Sequence, residues 1–137
     1  MIAAAIIVMV GIIGSAQSIT NESEKCEQEG GHVLGTTPIR LGPGRPAPVK
    51  TKDIQPIYPD IPPNRIGHGN WVGDLLIGTD GSVSKVWTIR KIEFRPPFDE
   101  FTDAIVRAVL QWQFQPIIVD SRPTPACLRT TVLVRWP

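Results

Sequence analysis

Residues 101–116 constrain the fold of this chain more than any other stretch, because their apolar side chains recur at helical spacing. The apolar face of the predicted helix comprises Phe101, Ile105, Ala108, Val109 and Trp112. The opposite face is mostly polar and comprises Thr102, Asp103, Arg107 and Gln111. An isolated helix of this kind is marginal in water, so its apolar face predicts packing against a sheet.

The residues around this stretch are typical of helix boundaries. Pro96 and Pro97 precede it, and Pro116 prevents its continuation. Asp99 lies near the predicted start, where a carboxylate favours the positive end of the helix dipole. We expect the aromatic residue Phe114, together with Trp112, to hold the C-terminal end of the helix onto the sheet.

Residues 69–90 are predicted to form a β-hairpin upstream of this helix. Residues 69–78 read as one strand, with Trp71, Leu75 and Ile77 on one face by period two. The pair Asp80 and Gly81 is a strong turn signal, since glycine accepts a positive φ without strain. Residues 83–90 form the return strand, whose shared face is expected to comprise Val83, Trp87 and Ile89.

The last segment, residues 128–136, alternates between an apolar and a polar face. The apolar side comprises Leu128, Thr130, Val132, Val134 and Trp136, and the wet side comprises Arg129, Thr131 and Arg135, with Leu133 as the exception. Hairpin, helix and strand in this order predict a two-layer α+β domain, in which a small antiparallel sheet packs on one amphipathic helix.

The chain before this domain divides into two parts. Residues 1–18 contain an uncharged apolar run and a small-residue pattern, Ala16-x-Ser18, which predict a secretory signal peptide or else an N-terminal membrane anchor. Residues 19–35 read as a polar tail or a short helix. Residues 36–52 read as a linker rich in proline and glycine, in which Ile39 and Leu41 could form a brief edge strand, because eight of the 14 prolines fall between Pro38 and Pro63. The domain itself is then expected to span residues 53–137.

Composition and spacing exclude several classes of function. The net charge of +1 gives no sign of a nucleic-acid partner. His32 and His68 show no metal-ligand spacing with each other or with the cysteines, so no metal or cofactor motif emerges. No nucleophile–base pattern, paired carboxylates or phosphate loop is present, and Asp74 is interpreted as solvated, so we expect no enzyme.

Two cysteines, Cys26 and Cys127, are present, and the sequence leaves their state open. In an exported protein they can form one disulfide that ties the N-terminal tail to the last strand. The alternative is two unpaired thiols, because spacing along the chain says nothing about the geometry that a bond needs.

The ordered set of motifs resembles the C-terminal domain of TonB-type energy transducers. The resemblance runs from about Pro38 to Trp136. Its motif residues are Pro56, Tyr58, Pro59, Gly69, Asp80, Gly81, Ala104, Ala108, Trp112, Phe114 and Pro116. It implies a TonB C-terminal-like fold in the periplasm, and a partner that is an outer-membrane receptor segment or another extended peptide.

The resemblance also implies how the partner is bound. The peptide would add as a strand to an exposed sheet edge. That edge is expected to be the last strand, comprising Leu128, Arg129, Thr130, Thr131, Val132, Leu133, Val134, Arg135 and Trp136, or the lead-in near Ile39. Independently of the resemblance, the arginines of the wet face would modestly favour an acidic partner. The alternative is that they only keep an edge strand soluble.

Three functions are compatible with the sequence. The first is an exported binding module linked to TonB-dependent transport across the outer membrane. The second is a membrane-anchored energy transducer that works with the proton-driven motor proteins of the inner membrane. The third is a structural periplasmic protein unrelated to transport. A homodimer through the edge strand is a further expectation.

Overall fold

The computed structural model describes residues 24–136, which form a mixed α+β fold. The expected signal peptide or anchor, residues 1–18, lies outside the described residues. The helices are α1 (Lys25–Leu34) and α2 (Asp99–Val109). The strands are β1 (Ile39–Arg40), β2 (Lys50–Lys52), β3 (Ile66–His68), β4 (Trp71–Ile77), β5 (Val83–Arg90), β6 (Glu93–Arg95), β7 (Gln113–Phe114), β8 (Ile118–Val119), β9 (Arg122–Pro123) and β10 (Ala126–Val132).

A four-stranded sheet with the order β1-β10-β4-β5 organises the domain. Strands β4 and β5 form the predicted hairpin, and β10 returns antiparallel to β4 after α2, so the expected order of hairpin, helix and strand is confirmed. Strand β1 pairs parallel to β10 through only two residues. Three two-stranded pairs, β2–β7, β3–β6 and β8–β9, surround this sheet.

Helix α2 packs on one face of the sheet, as its apolar stripe predicts. The buried cluster on this side comprises Leu41, Trp71, Leu75, Ile77, Val83, Ile92, Phe94, Phe101, Ile105, Val109, Trp112, Phe114, Ile117 and Ala126. Thr102, expected on the polar side of the helix, is buried instead. Its hydroxyl oxygen accepts a hydrogen bond from the backbone N–H of Ile92 at 3.2 Å, which explains why a polar residue is tolerated there.

Helix α2 is shorter than the periodicity predicts, because it ends at Val109 rather than continuing to Trp112. The chain turns at Leu110 and Gln111, and Phe114 then lies in β7. Trp112 is nevertheless buried, and its indole nitrogen donates to the carbonyl of Ile54 at 2.9 Å. Trp112 therefore occupies the core position predicted for it, although it follows a turn and is not part of the helix.

The prediction of two layers is wrong, because α1 covers the opposite face of the sheet. Cys26 of α1 is bonded to Cys127 of β10, and the two cysteines form a second buried cluster with Leu76 and Trp87. A β-carbon added to Gly30 would lie 3.0 Å from the Leu76 side chain, so this helix packs closely on β4. Within the expected tail and linker, residues 25–52 contribute α1, β1 and β2, so the alternatives of a short helix and of a brief strand near Ile39 are confirmed.

The return strand does not present a single apolar face, contrary to expectation. The pairing of β4 with β5 shifts register between Leu76 and Ile77, where the chain forms a bulge. As a result Val83 belongs to the cluster under α2, whereas Trp87 belongs to the cluster under α1. Ile89, the third residue of the expected face, is exposed.

The last strand is also shorter than predicted, since β10 ends at Val132 instead of Trp136. It is not the outermost strand either, because β1 lies beside its first two residues. The alternation is nevertheless correct: Leu128, Val132, Val134 and Trp136 all pack against the cluster under α2.

Replacing Trp112 with alanine should destabilise the domain by about 3–5 kcal/mol, because it removes a buried indole and leaves a cavity. The exposed neighbour Leu110 provides a matched control, and Leu110→Ala should cost under about 1 kcal/mol. Urea denaturation, followed by far-ultraviolet circular dichroism, measures both. Equal unfolding midpoints for the two variants would contradict the placement of Trp112.

Gly81→Ala should be considerably more destabilising than Gly44→Ala, although both glycines have a positive φ, 86° and 80°. An added methyl group has no neighbour within 4 Å at Gly44, so that variant costs about 1–2 kcal/mol through backbone strain alone. At Gly81 the methyl group would overlap the carbonyl oxygen of Phe114, which adds roughly 1–3 kcal/mol. Urea denaturation of both variants gives the two free energies of unfolding, and their difference reports how closely the turn approaches β7. Equal free energies for Gly81→Ala and Gly44→Ala would contradict this close approach.

Candidate functional site

The outer edge of β10 is covered by β1 only at its start. Ile39 lies opposite Ala126 and Arg40 lies opposite Cys127. The backbone N–H of Leu41 donates to the carbonyl of Cys127 at 2.9 Å, after which the chain enters a turn closed by Arg45. From Arg129 to Val132, no strand of residues 24–136 pairs with this side of β10.

The register shows which backbone groups this open edge presents. The carbonyls of Pro125 and Cys127 accept from β1, and backbone groups alternate in direction along a strand. The N–H and C=O groups of Arg129 and Thr131 therefore point outward, whereas those of Leu128, Thr130 and Val132 point to β4. An incoming peptide would meet these two outward positions.

A groove of about 630 Å³ adjoins the end of this edge. Its lining comes from the proline-bearing segment, from α2 and from the end of the chain: Gln55, Pro56, Tyr58, Pro59, Asp60, Ile61, Phe101, Val132, Leu133, Val134, Arg135 and Trp136. Leu133 is 75% exposed, although it is a large apolar residue. The groove thus combines apolar walls with a nearby set of unpaired backbone groups.

Stacked aromatic rings support this groove. The Tyr58 ring stacks on Phe101 with centroids 4.3 Å apart, and Phe101 stacks on Trp136 with centroids 5.5 Å apart. Burial raises the pKa of the Tyr58 phenol, so this side chain stays neutral at physiological pH. The Pro56-x-Tyr58-Pro59 unit thus supplies one wall of the groove.

Three hydrogen bonds hold the two sides of the groove in place. The Trp112 indole donates to the carbonyl of Ile54 and fixes the start of the proline-bearing segment. On the other side, the backbone N–H of Val134 donates to the Asn70 side-chain oxygen at 2.9 Å. The Trp136 indole nitrogen donates to the carbonyl of Gly69 at 3.0 Å, so the residues after β10 keep a defined course.

Asp74 is the charged group at the centre of the sheet, and its interpretation as a solvated residue is wrong. It is only 1% exposed and lies opposite Arg129 in the register of β4 and β10. Arg129 donates two hydrogen bonds of 2.9 Å to its carboxylate oxygens, and Arg40 of β1 donates two more, at 3.0 and 3.2 Å. Arg40 also binds Glu27 of α1.

The charge of Asp74 is stabilised by these partners. Burial alone raises the pKa of the carboxyl, but the hydrogen bonds and charges of Arg129 and Arg40 outweigh burial, so the pKa lies below its ordinary value. The guanidinium of Arg129 is held by Asp74, while its side chain remains 40% exposed beside the open edge. Of the two arginines expected on the wet face, Arg135 alone lines the groove.

The other motif residues have structural positions. Ala104, Ala108, Trp112 and Phe114 are buried in the core under α2. Gly69 has a φ of 97°, and the Asp80 side chain accepts hydrogen bonds from the backbone and hydroxyl of Ser82 in the hairpin turn. Pro116 is exposed and follows β7. These residues shape the domain and do not line the open edge.

The cysteines are fully buried and bonded to each other, with an S–S distance of 2.05 Å. Within residues 24–136, Cys26, Glu27 and Cys127 are the one group of three side chains close enough together to hold a metal ion. Both sulfurs are used by the disulfide, so this group offers a single ligand and does not fit a metal site.

Two features of the site escaped the sequence reasoning. Phe101 was assigned to the core alone, yet it also lines the groove. The burial of Asp74 could have been anticipated, because an aspartate with Leu75, Leu76 and Ile77 directly after it is unusual in an exposed strand.

Comparison with protein-family models, with curated proteins and with solved structures found no match to this chain. Neither α1 nor α2 is long and apolar enough to cross a membrane.

Replacing Arg129 with alanine should destabilise the domain by about 2 kcal/mol at neutral pH. This is less than the roughly 3–5 kcal/mol for removing a sole partner of a buried charge, because Arg40 remains beside Asp74. The matched control is Arg135→Ala, which removes another exposed arginine six residues further along the chain. It should change stability by under about 0.5 kcal/mol.

The cost of Arg129→Ala should depend on pH. Since the folded pKa of Asp74 is depressed, its contribution to stability is present above its ordinary pKa of 3.8 and is lost as the pH falls through the lower, folded value. The difference in the free energy of unfolding between wild type and Arg129→Ala should therefore become smaller below about pH 4. Urea denaturation at several pH values measures this difference. A constant difference would contradict the charge pairing.

Proposed function

We propose that this protein is an exported binding module that takes up an extended peptide by strand addition on the outer edge of β10. The observation that carries the proposal is the adjacency of two features: the outward backbone groups of Arg129 and Thr131, and the aromatic groove that begins at Val132. Sheet edges bind peptides through main-chain hydrogen bonds, while pockets for alternate side chains provide selectivity.

The direction of the side chains supports a defined peptide chemistry. Alternate residues of an added strand lie on the same face of the sheet as Val132 and Trp136, and this face borders the groove. Large apolar side chains at these positions would contact Tyr58. Since β1 already covers Ala126 and Cys127, the open stretch suits a short segment of about four to six residues.

The resemblance to TonB C-terminal domains supports a particular kind of peptide partner. In this proposal the peptide is a segment of an outer-membrane receptor, and the module acts in TonB-dependent transport from the periplasm. The buried Cys26–Cys127 disulfide supports such a location, because disulfides persist in oxidising compartments such as the bacterial periplasm.

The lining of the groove supports binding rather than catalysis. Asp60 and Arg135 are the charged side chains among the described residues that line it, and the others are apolar, aromatic or, in the case of Gln55, an amide. Such a surface can hold an apolar ligand in place, whereas general acid–base or nucleophilic chemistry needs an activated group that this lining does not present.

The proposal is tested by Thr131→Pro, which removes an outward N–H from the edge. The N–H of Thr131 does not take part in pairing with β4, so the sheet should tolerate the change. Peptides from the N-terminal segments of candidate receptors are titrated into isotope-labelled protein, and the backbone amide signals are followed by NMR. Wild type should show shifts at Arg129, Thr131 and Leu133, and the variant should bind at least about tenfold more weakly.

The control variant is Thr131→Val, which changes the exposed side chain at the same position of β10 but keeps the backbone N–H. It should leave peptide affinity unchanged. Val132→Pro is unsuitable as an edge-blocking change, because the N–H of Val132 points to β4. Saturating peptide without shifts at the β10 edge, or equal affinities for wild type and Thr131→Pro, would refute strand addition there. Shifts that depend on protein concentration without peptide would indicate a homodimer through β10 instead.

A further inference from the structure

Strand β5 forms the opposite margin of the sheet, and it is the longest strand of the described chain. It pairs with β4 on one side, and no strand of residues 24–136 pairs with its other side. This edge is separate from the β10 site, because the two face outward from opposite sides of the sheet with β4 between β10 and β5. An open edge of eight residues is a template for another extended segment unless the protein blocks it.

The register identifies the outward backbone groups of β5. Because backbone groups alternate in direction along a strand, Gly73 and Leu75 of β4 face β10, and Asp74 and Leu76 face β5. The partners of the latter two, Trp87 and Lys85, consequently point inward. Val86 and Thr88 are left with their N–H and C=O groups directed away from the sheet.

A cleft of about 380 Å³ lies along these outward groups. Val86, Trp87, Thr88 and Ile89 line it from the strand, and Lys25 of α1 lines it from above. Two hydrogen bonds hold the strand side of this cleft in place. The Trp87 indole nitrogen donates to Glu29 at 2.9 Å, and the Trp71 indole nitrogen donates to the Thr88 hydroxyl at 3.0 Å.

Positive charge is in excess around this edge. Lys25, Lys85 and Arg90 lie on or beside it, whereas Glu29 is the carboxylate that binds there, through Lys85 at 2.9 Å. No carboxylate within residues 24–136 lies within ion-pair distance of Lys25 or Arg90. Glu24 directly precedes Lys25, and the charge of Lys25 already acts on Glu29, so three cations and two carboxylates leave an excess of about one positive charge near this edge.

We propose that the outer edge of β5 is a second docking edge, and that its partner is an extended segment with acidic residues at alternate positions. The backbone of such a segment would pair with Val86 and Thr88, and its carboxylates would lie near Lys25 and Arg90. A second copy of this chain fits less well, because antiparallel self-pairing would bring two positively charged edges together.

The probe is a blocked hexapeptide of alternating glutamate and valine, titrated into the labelled full chain at low salt. Amide signals of Val86 and Thr88 should shift, and the fluorescence of Trp87 should change because its ring lines the cleft. A blocked hexapeptide of alternating lysine and valine should bind about tenfold more weakly. Added salt should reduce this preference.

The double variant Lys25→Glu with Arg90→Glu should lose about tenfold in affinity for the acidic probe and gain for the basic one. The matched control is Arg45→Glu with Lys52→Glu, which changes net charge equally at exposed positions away from β5. It should bind like wild type. Equal losses in both double variants would show an effect of net charge and overturn the proposal.

Two further results would overturn it. Acidic-probe shifts at Arg129 and Thr131, with none at Val86 and Thr88, would place binding at the β10 edge. Protection of the Val86 and Thr88 amides from solvent exchange in the absence of probe would show that the edge is already covered. If that protection rises with protein concentration, the cover is a second copy of the chain.

Discussion

The buried carboxylate of Asp74 is the interaction on which the other elements depend. It lies in β4, an inner strand of the sheet, and a lone buried charge there would be costly. Arg129 from β10 and Arg40 from β1 satisfy it from the same side of the sheet. Since Arg40 also binds Glu27 of α1, one carboxylate connects β4, β10, β1 and α1. Such a network is sensitive to register, because shifting β10 by one residue would remove Arg129 from Asp74.

The disulfide works in the same region but by a different mechanism. It joins α1 to β10 across 101 residues of sequence and so constrains the unfolded chain. Helix α1 buries only Cys26 and Gly30, so its own apolar contact with the sheet is small. The covalent bond and the ion pairs of Glu27 and Glu29 together keep it on the sheet. The resulting third layer covers Leu76 and Trp87, which a two-layer domain would leave open.

The two margins of the sheet differ in chemistry. Beside β10 the open stretch is short, begins where β1 ends and leads into an aromatic groove. Along β5 the open stretch is longer and is flanked by basic residues. Edge strands generally need protection against unwanted pairing, and charge on β5 serves this purpose against a second copy. The same charge gives that edge a preference for acidic segments, so protection and selectivity have one physical origin.

The sequence alone predicted those features that depend on local periodicity and turn chemistry. The apolar stripe from Phe101 to Val109 identified α2, Asp80 and Gly81 identified the hairpin, and alternation after Leu128 identified the buried face of β10. These signals are local, because each depends on residues within a few positions of one another. The state of Cys26 and Cys127 stayed open, since it depends on a distance between remote residues.

Tertiary structure alone decided the rest. The burial of Asp74 needs Arg40 and Arg129, which are 34 and 55 residues away. The end of α2 at Val109, the bulge that separates Val83 from Trp87 and the position of β10 between β1 and β4 all result from packing and register. Which edges remain open is likewise a property of strand order, and no local pattern in the sequence specifies strand order.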